Sequence, residues 1–215
     1  MNEDGVAATR SGASNVTGIV LCGGHSRRMG RPKAWLPFGD EFLLQRVVRI
    51  VGEAVGKVIV VAAKDQTLPP LPDAVTRVDD TLEECGPLAG LAAGLAAATT
   101  DLVFLTACDA PFLNTELIVA LLAAMTHSPC DAVVPYTADF HPLTGVYRTS
   151  IRPVAERRLA AGQLKMKDLI REVNHVKWLP PESLRDSLRN INTPDDYAAA
   201  LAKYNREYGT GLRTN

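Results

Sequence analysis

The sequence predicts an α/β fold in which a doubly wound, mostly parallel sheet lies between two layers of helices. Two observations lead to this prediction. Strand-like and helix-like segments alternate along the chain from Thr17 onward, and the early strand segments, such as 57–63 and 102–108, are continuous apolar runs. Such runs indicate strands that are covered on both faces, as in parallel sheets with helical crossovers. The shorter strand segments after residue 130 predict a mixed edge or lobe beside that sheet.

The individual elements follow from the spacing of apolar residues and from capping residues. In 40–55, apolar residues recur at positions 43, 44, 47, 48, 51 and 55, which is the spacing of an amphipathic helix. Asn114 or Thr115, and later Thr193, stand where helix N-caps are expected, and Pro194 follows in a first turn. In chain order, we predict strands at 17–22, 57–63, 74–80, 101–109, 130–136, 142–148, 175–180 and 188–192, and helices at 40–55, 86–100, 114–125, 149–162, 166–173 and 193–208.

Composition and charge indicate a globular protein and exclude several classes of partner. Of the 215 residues, 47% are hydrophobic and 22% are charged, and the net charge of −1 gives no basic field of the kind that nucleic acid requires. The longest apolar runs are too short to span a membrane. We therefore expect no nucleic-acid partner and no membrane insertion. Residues 1–15 are small and polar without periodicity, so we expect a disordered N-terminal tail followed by one domain over 16–215.

The cysteines show no metal-binding spacing. Three of the four lie in or beside apolar segments, and the full set is Cys22, Cys85, Cys108 and Cys130. Reduced, mostly buried thiols are typical of cytoplasmic proteins, so we expect a cytoplasmic location. Packing in the core is the expected role of Cys22 and Cys108 even if their strands are neighbours.

The loop after the first strand carries most of the chemical signal. The stretch VLCGGHSRRMGRPKAW, at 20–35, joins two glycines to a cluster of cations, namely Arg27, Arg28, Arg31 and Lys33. Gly23 and Gly24 carry no Cβ, so their N–H groups can close on phosphate oxygens, and Pro32 aims Lys33 by holding the residue before it extended. The spacing matches neither the Walker A motif nor G-x-G-x-x-G. We therefore predict a polyphosphate site of another type; the alternative is an exposed basic turn.

Asp109 is the candidate metal ligand. It ends the predicted strand at 101–109, and Pro111 stops the strand geometry soon after it. A carboxylate facing a polyphosphate is repulsive unless a cation lies between them, and Mg²⁺ is bound by one or two carboxylates together with phosphate oxygens and water. The alternative role, a helix cap, is served better by Asn114 and Thr115. We therefore expect Asp109 to bind Mg²⁺.

Three further polar segments are weaker candidates. Asp79 and Asp80 end another strand and point to opposite sides; we expect Asp80 to face the ligand and Asp79 to lie in a solvated turn. Asn190 and Asn192 are two residues apart on a predicted strand, so they share a face and reach either a substrate or a metal-bound water; a structural turn is the alternative. The small residues at 86–90 leave room for a flat base.

The motifs resemble those of a known enzyme family. LCGGHSRRMGRPK is similar to L-x-G-G-x-S-x-R-M-G-x-x-K, the signature of sugar-nucleotide-type nucleotidyltransferases. GPLAGL, CDAPFL and NINTPDD resemble one branch of them, the molybdenum cofactor guanylyltransferase (MobA) family, and the resemblance runs from Gly18 to Tyr197. It implies a Rossmann-like domain with Mg²⁺, in which GMP passes from GTP to molybdopterin, pyrophosphate leaves, and molybdopterin guanine dinucleotide forms. Proteins that carry molybdopterin and molybdoenzymes that receive the product are the implied protein partners.

The resemblance also implies roles for individual residues. The nucleotide would be lined by Leu21, Cys22, Gly23 and Asp80, the phosphates and departing pyrophosphate would be held by Gly23, Gly24, Arg27 and Lys33, and both GTP and Mg²⁺ would meet Asp109. The sequence departs from the family pattern at three places: Cys22 replaces a common alanine, Pro32 replaces a common aspartate, and 61–63 lacks a common asparagine. The alternative functions are a cytidylyltransferase, a transferase acting on a sugar phosphate, or a nucleotide-binding accessory protein without turnover.

Overall fold

The computed structural model describes residues 15–23, 31–82 and 85–209. The predicted alternation of strands and helices is present. In chain order the strands are β1 (Val16–Leu21), β2 (Pro37–Phe38), β3 (Glu41–Phe42), β4 (Lys57–Ala63), β5 (Val75–Asp80), β6 (Leu102–Ala107), β7 (Ala132–Pro135), β8 (Thr144–Arg148) and β9 (His175–Trp178). The α-helices are α1 (Leu43–Val55), α2 (Gly86–Ala97), α3 (Thr115–Thr126), α4 (Arg152–Ala160), α5 (Met166–Glu172) and α6 (Pro194–Tyr208).

Seven of these strands form one sheet in the order β5-β4-β1-β6-β8-β7-β9. The pairs β5–β4, β4–β1, β1–β6 and β7–β9 are parallel, whereas β8 runs antiparallel to both of its neighbours. The predicted mostly parallel sheet with a mixed later half is therefore confirmed, and the exception is β8. Strands β2 and β3 form a separate small hairpin.

The strand order reverses at β1. The chain first places β4 and β5 on one side of β1 and then places β6 on its other side. In open α/β sheets, ligands bind outside the carboxyl ends of the strands at such a reversal, because the crossovers on either side diverge and leave a crevice. The carboxyl ends of β1 and β6, at Leu21 and Ala107, are direct partners in the register.

Two apolar cores cover the two faces of this sheet. Val20 of β1 belongs to the core that contains residues of α1 and α3, while its neighbour Ile19 belongs to the core that contains residues of α2, α4 and α5. The alternation along β1 shows why its sequence is apolar at consecutive positions, since both faces are buried. The helix–sheet–helix layering predicted from the sequence is confirmed.

A third, smaller core attaches the C-terminal segment to the site end of the sheet. It joins residues near β2 and α1 to residues at and before α6, and its buried members are Leu36, Phe38, Leu43, Ile191 and Ala200. Arg46 lies over the rings of Phe38 and Tyr204, with its Cζ 5.4 Å and 5.3 Å from the ring centroids. This core places the segment before α6 beside the carboxyl end of β6.

Two details of the sequence prediction are wrong. No strand forms at 188–192; instead a 3₁₀-helix covers Asp186–Leu188, and the amide of Ile191 donates to the carbonyl of Asp109 rather than to a ladder. The helix predicted from residue 40 begins at Leu43, because Glu41 and Phe42 pair with β2. Within the described residues, no helix combines the length and the apolar character needed to cross a bilayer.

Candidate active site

The centre of the site is an ion pair between two segments that are distant in sequence. Nζ of Lys33 donates to Oδ2 of Asp109 at 2.7 Å, and the two side chains are 20% and 14% exposed. The same Nζ donates to Oδ1 of Asn192 at 3.3 Å. Lys33 thus meets two segments that lie 76 and 159 positions away along the chain, and the meeting point is at the carboxyl ends of β1 and β6.

The backbone around Lys33 is held by local structure. Pro32 is extended, with φ −62° and ψ 128°, and Lys33 opens a short 3₁₀-helix, Lys33–Trp35. The indole Nε1 of Trp35 donates to the carbonyl of Thr67 at 3.0 Å. Proline fixes its own φ, so Pro32 leads into this 3₁₀-helix with a restricted backbone. The predicted effect of Pro32 on the residue before it stays a prediction.

Asp109 is held by backbone hydrogen bonds on both sides. The amide of Cys108 donates to the carbonyl of Leu21 at 2.9 Å, which extends the pairing of β1 with β6 one residue past the end of β6. The carbonyl of Asp109 accepts the amide of Ile191 at 2.9 Å. This second bond explains why Asn190 and Asn192 lie beside Asp109 although they do not sit on a strand.

The segment that carries the asparagines is fixed at the start of α6. Oδ2 of Asp196 accepts the amides of Asn192 and Thr193 at 3.0 Å and 2.9 Å, and the hydroxyl of Thr193 accepts the amide of Asp196 at 3.1 Å. This is a capping box in which two backbone donors are satisfied reciprocally, so the predicted cap role of Thr193 is confirmed. The bonds from Asn192 and Thr193 lower the pKa of Asp196 below its ordinary value.

Two buried oxygens at this place have no hydrogen-bond partner among the residues that the structure describes. They are Oδ1 of Asp109 and Oδ1 of Asn190. An unpaired buried oxygen is unfavourable, whereas carboxylate and amide oxygens are ligands that Mg²⁺ accepts. In 15–23, 31–82 and 85–209, no group of three or more His, Cys, Asp or Glu side chains could hold a metal. The donor set therefore fits a hard cation that takes its other ligands from substrate phosphates and water.

The end of β1 gives an exposed backbone beside buried side chains. Leu21 and Cys22 are buried, and Gly23 is exposed with open space where a Cβ would stand. The amide of Cys22 donates to the carbonyl of Val61 at 2.7 Å, so the strand contact continues past Leu21. Gly24 and Arg27, which were predicted to hold phosphates, lie outside the described residues.

The thiols of Cys22 and Cys108 pack together beneath this end of the sheet. Both are buried in the core that faces α1 and α3, and a hydrogen bond with Cys22 together with burial raises the pKa of the Cys108 thiol. The predicted packing role is confirmed for both residues. Since a raised pKa keeps a thiol protonated, the side chain of Cys108 is not suited to be a nucleophile at neutral pH.

The predicted base pocket at 86–90 is corrected by the packing of α2. A Cβ built on Gly90 would stand 2.9 Å from Cδ2 of Leu21, so the space that glycine leaves is filled by that side chain. Gly90 is therefore small because α2 lies close to β1, and it gives no width for a base. Gly86 is different: it has φ +68°, and open space surrounds its Cβ position.

Asp79 and Asp80 have different surroundings, and Asp79 lies within β5 and not in the predicted turn. Asp79 forms an exposed ion pair with Arg77, with Oδ1 3.0 Å from Nε. Asp80 ends β5, and its Oδ1 accepts the amide of Leu82 at 3.1 Å, while burial raises the pKa of its carboxyl. Because β5 lies at the far side of β4 and β1 from β6, Asp80 and Asp109 stand at opposite ends of the row of parallel strands. A contact of Asp80 with nucleotide stays a prediction.

Gln66 is a site residue that the sequence analysis missed. Its Nε2 donates to the carbonyl of Cys22 at 2.8 Å, and its Oε1 accepts the amide of Ala63 at 3.3 Å. Arg77 fixes the same loop by donating to the carbonyls of Gln66, Ala63 and Lys64. The sequence signal was an amide side chain three residues beyond the end of β4, shortly after the positions 61–63 at which the family pattern has an asparagine.

Comparisons with known proteins agree with this geometry. The model of the MobA-like NTP transferase domain matches residues 18–177. A probable molybdenum cofactor guanylyltransferase of Mycobacterium marinum is 36% identical over 201 residues, which are 91% of this chain and 98% of the relative. A probable molybdenum cofactor guanylyltransferase of Mycobacterium tuberculosis is 37% identical over 183 residues, which are 83% of this chain and 89% of the relative.

Solved structures share the fold. A molybdopterin-guanine dinucleotide biosynthesis protein A of Archaeoglobus fulgidus superposes with a TM-score of 0.75 at 24% identity, over 88% of this chain and 99% of that one. A 2-C-methyl-D-erythritol 4-phosphate cytidylyltransferase of Thermus thermophilus superposes with a TM-score of 0.65 at 19% identity, over 86% and 97% of the two chains. The strand order reverses beside the glycines that follow β1, and a carboxylate ends the neighbouring strand. These features and the match over most of the chain's length point to the same family. The chain therefore belongs to the MobA-like NTP transferase family, and it is a nucleotidyltransferase.

Proposed function

We propose that this nucleotidyltransferase transfers GMP from GTP to molybdopterin and releases pyrophosphate, forming molybdopterin guanine dinucleotide. The names of the mycobacterial relatives support the choice of substrates. The observation that carries the proposal is the position of Asp109 at the reversal of the strand order. One of its carboxylate oxygens pairs with the ammonium group of Lys33, and the other is buried without a hydrogen-bond partner among the described residues. At this place a phosphate chain would meet the cation of Lys33, and a metal ion would meet the carboxylate of Asp109.

Lys33 is the proposed phosphate-binding cation. Its ammonium group carries three donors on a flexible stem, while its backbone is fixed by the 3₁₀-helix that it opens. A cation placed before reaction at the point where negative charge develops stabilises the transition state without reorganisation. Gly23 offers backbone that phosphate can approach closely, because nothing occupies the space beside its Cα. Gly24 and Arg27 are proposed to complete this phosphate site.

Asp109 is the proposed ligand of Mg²⁺. Oδ1 of Asn190, the residue before the amide that bonds to Asp109, also has no hydrogen-bond partner among the residues that the structure describes. The bound ion supplies charge neutralisation on the phosphates of the nucleotide. The chain's own contribution is to hold the carboxylate in place, through the bond from Ile191 to the carbonyl of Asp109. This rigidity favours positioning, which is the main source of rate in phosphoryl-type transfers.

Asn190 and Asn192 are proposed to orient the acceptor. The terminal phosphate of molybdopterin is already anionic and attacks the α-phosphorus of GTP in line, so the chain need not provide a strong general base. What it must provide is alignment of the two substrates. Amide side chains suit this task because they donate and accept hydrogen bonds without adding charge. The capping box at Thr193 and Asp196 keeps them in place.

Guanine recognition requires hydrogen-bond acceptors, since N1–H and the exocyclic amine of guanine are donors. Near the end of β1, the carbonyl of Cys22 and the amide oxygen of Gln66 each accept one hydrogen bond within the protein, from Gln66 and from Ala63, and each oxygen has a second lone pair that a base could use. Asp80 offers a further carboxylate at the end of β5. Acceptors left unpaired by a wrong base penalise that base, and such penalties reach about 10⁴-fold in favourable cases.

The proposed reaction belongs in the cytoplasm, and it involves proteins that carry molybdopterin and molybdoenzymes that receive the product. The four cysteines are unpaired, as is typical of a reducing compartment.

Release of pyrophosphate tests the proposal. The protein is supplied with each of the four nucleoside triphosphates and Mg²⁺, with and without molybdopterin, and pyrophosphate is measured over time. We expect release with GTP that depends on molybdopterin, and much slower release with CTP and ATP. Faster release with CTP would contradict the guanylyl assignment while preserving nucleotidyl transfer. Equal release with and without molybdopterin would contradict the acceptor.

A further inference from the structure

The pairing of Lys33 with Asp109 has a consequence for the order of binding. The proposed metal ligand already has a cation on one oxygen, since Nζ of Lys33 lies 2.7 Å from Oδ2 of Asp109. The other oxygen, Oδ1, is buried and has no hydrogen-bond partner among the described residues. A divalent cation that approached this carboxylate would come close to the ammonium group, and the two like charges would repel each other at short range.

Lys33 can leave this position without disturbing the fold. Its Cα is fixed by Pro32 and by the indole of Trp35, but its ammonium group stands at the end of a four-carbon stem. The contacts of Nζ at this place are with side chains, those of Asp109 and Asn192. Movement of the stem breaks these two side-chain contacts, while the backbone hydrogen bonds from the amides of Trp35 and Leu36 to the carbonyls of Pro32 and Lys33 do not involve the ammonium group.

A polyphosphate is the partner that can draw Lys33 away. It carries several negative charges, whereas Asp109 carries one, so a phosphate chain at the end of β1 competes well for the ammonium group. Departure of the ammonium group exposes Oδ2 of Asp109 and leaves a carboxylate beside the incoming phosphates. This is the combination of one carboxylate and phosphate oxygens that Mg²⁺ prefers.

We propose that Lys33 keeps Asp109 closed to divalent cations until a polyphosphate draws its ammonium group away, so that metal and nucleotide enter the site together. This inference rests on the proposed function, in which Asp109 is the metal ligand and Lys33 binds phosphate. In the free protein the metal site is closed by the chain itself, and binding of the polyphosphate opens it.

Binding of Mn²⁺ to the nucleotide-free protein tests the inference apart from activity. Free Mn²⁺ is followed by electron paramagnetic resonance while the full-length protein is titrated. We expect Lys33→Met to bind Mn²⁺ about tenfold more tightly than the unchanged protein, which corresponds to about 1.4 kcal/mol. The double variant Lys33→Met/Asp109→Asn should lose this gain, because the metal then lacks its carboxylate.

A matched control separates the pairing from a general effect of charge. Lys64 is an exposed lysine just past the carboxyl end of β4, at the same edge of the sheet, and the described residues give its side chain no ion pair within 4 Å. Lys64→Met removes the same charge and should change Mn²⁺ affinity by less than about twofold, since solvent and salt screen exposed charges. Thermal unfolding followed by circular dichroism verifies that each variant is folded. Lys33→Gln is a second substitution that removes the charge of Lys33, and it should show the same gain in Mn²⁺ affinity as Lys33→Met.

In a second measurement, the same variant should bind its ligand more weakly than the unchanged protein does. Binding of inorganic pyrophosphate is measured by calorimetry in the presence of a chelator. Lys33→Met should weaken it about tenfold, which corresponds to about 1.4 kcal/mol. A merely structural effect of the substitution would weaken the binding of both Mn²⁺ and pyrophosphate.

The outcomes distinguish the inference from the proposed function. If Lys33→Met binds Mn²⁺ no more tightly than the unchanged protein while Asp109→Asn weakens Mn²⁺ binding, the ligand role of Asp109 stands and the inference is overturned. If the double variant keeps the tighter binding, the metal sits elsewhere, and both the ligand role of Asp109 and the inference fail.

Discussion

Replacing Asp109 by asparagine separates its charge from its shape. The substitution keeps an oxygen that can accept from Lys33, and it removes the negative charge that the proposed metal requires. At 2.7 Å two unit charges attract with a gross energy of about 6 kcal/mol at an effective dielectric constant of about 20. Desolvation offsets most of this for partly buried groups, so we expect the free energy of unfolding to fall by only about 1–2 kcal/mol.

The effect on turnover should be much larger than the effect on stability. Loss of one preorganised electrostatic contact typically lowers kcat by about 10²–10³-fold. The assay is pyrophosphate release from GTP and molybdopterin over a range of Mg²⁺ concentrations. We expect a large loss of rate and a much higher concentration of Mg²⁺ at half-maximal rate, because the remaining ligands bind the ion more weakly.

Asp79→Asn is the matched control for this experiment. It makes the same chemical change near the end of β5, where Asp79 forms an exposed ion pair with Arg77. Exposed pairs contribute about 0–1 kcal/mol, so neither stability nor turnover should change appreciably. A folded Asp109→Asn variant with the Mg²⁺ dependence of the unchanged protein would refute the reasoning, and Asp109 would then be a structural partner of Lys33.

Three further substitutions and one pH experiment test other parts of the structure. Lys33→Ala should lower turnover by about 10²-fold or more with little change in melting temperature; a folded variant with normal turnover contradicts its role. Gly18→Ala should destabilise the fold by about 1–3 kcal/mol in urea unfolding, since the new Cβ would stand 2.1 Å from Cγ1 of Val51. Thr193→Ala should cost about 1 kcal/mol in the same measurement, because α6 loses its N-cap. The lowered pKa of Asp196 means that its contribution to stability is complete above its ordinary value of 3.8 and is lost as the pH falls below it. The urea midpoint is measured at pH 5 and pH 3, about one unit on either side of that value. Between these two pH values the midpoint should fall less in Asp196→Asn than in the unchanged protein. Equal falls would contradict the role of the Asp196 carboxylate in stability.

Much of the fold could be predicted because burial leaves a local pattern. β4 is buried at five consecutive positions between exposed ends, and its sequence KVIVVAA shows this directly. The helix starting at Leu43 shows its buried face through the spacing of its apolar residues. Caps are equally local, so Asn114 and Thr193 could be assigned from their side chains and their position.

The failures occur where distant contacts replace local ones. Segment 188–192 has the composition of a strand, but the amides of Ile191 and Asn192 donate to Asp109 and Asp196 instead of to a neighbouring strand. The small side chains around Gly90 suggest open space for a ligand, but the side chain of Leu21 fills the space beside Gly90. In both cases the partner lies far away in sequence, and no periodicity within the segment reports its presence.

The sequence by itself determined the chemistry of this protein: a glycine loop with cations after a buried strand, a carboxylate at the end of another, and motifs that resemble one enzyme family. Only the tertiary structure decided which of these groups meet. Lys33 reaches Asp109 because the strand order reverses at β1, which makes β6 its neighbour. Asn192 reaches Lys33 because α6 packs on the core around Phe38. Strand order and helix docking depend on the free energy of the whole packed molecule, whereas propensity and burial pattern are properties of short segments.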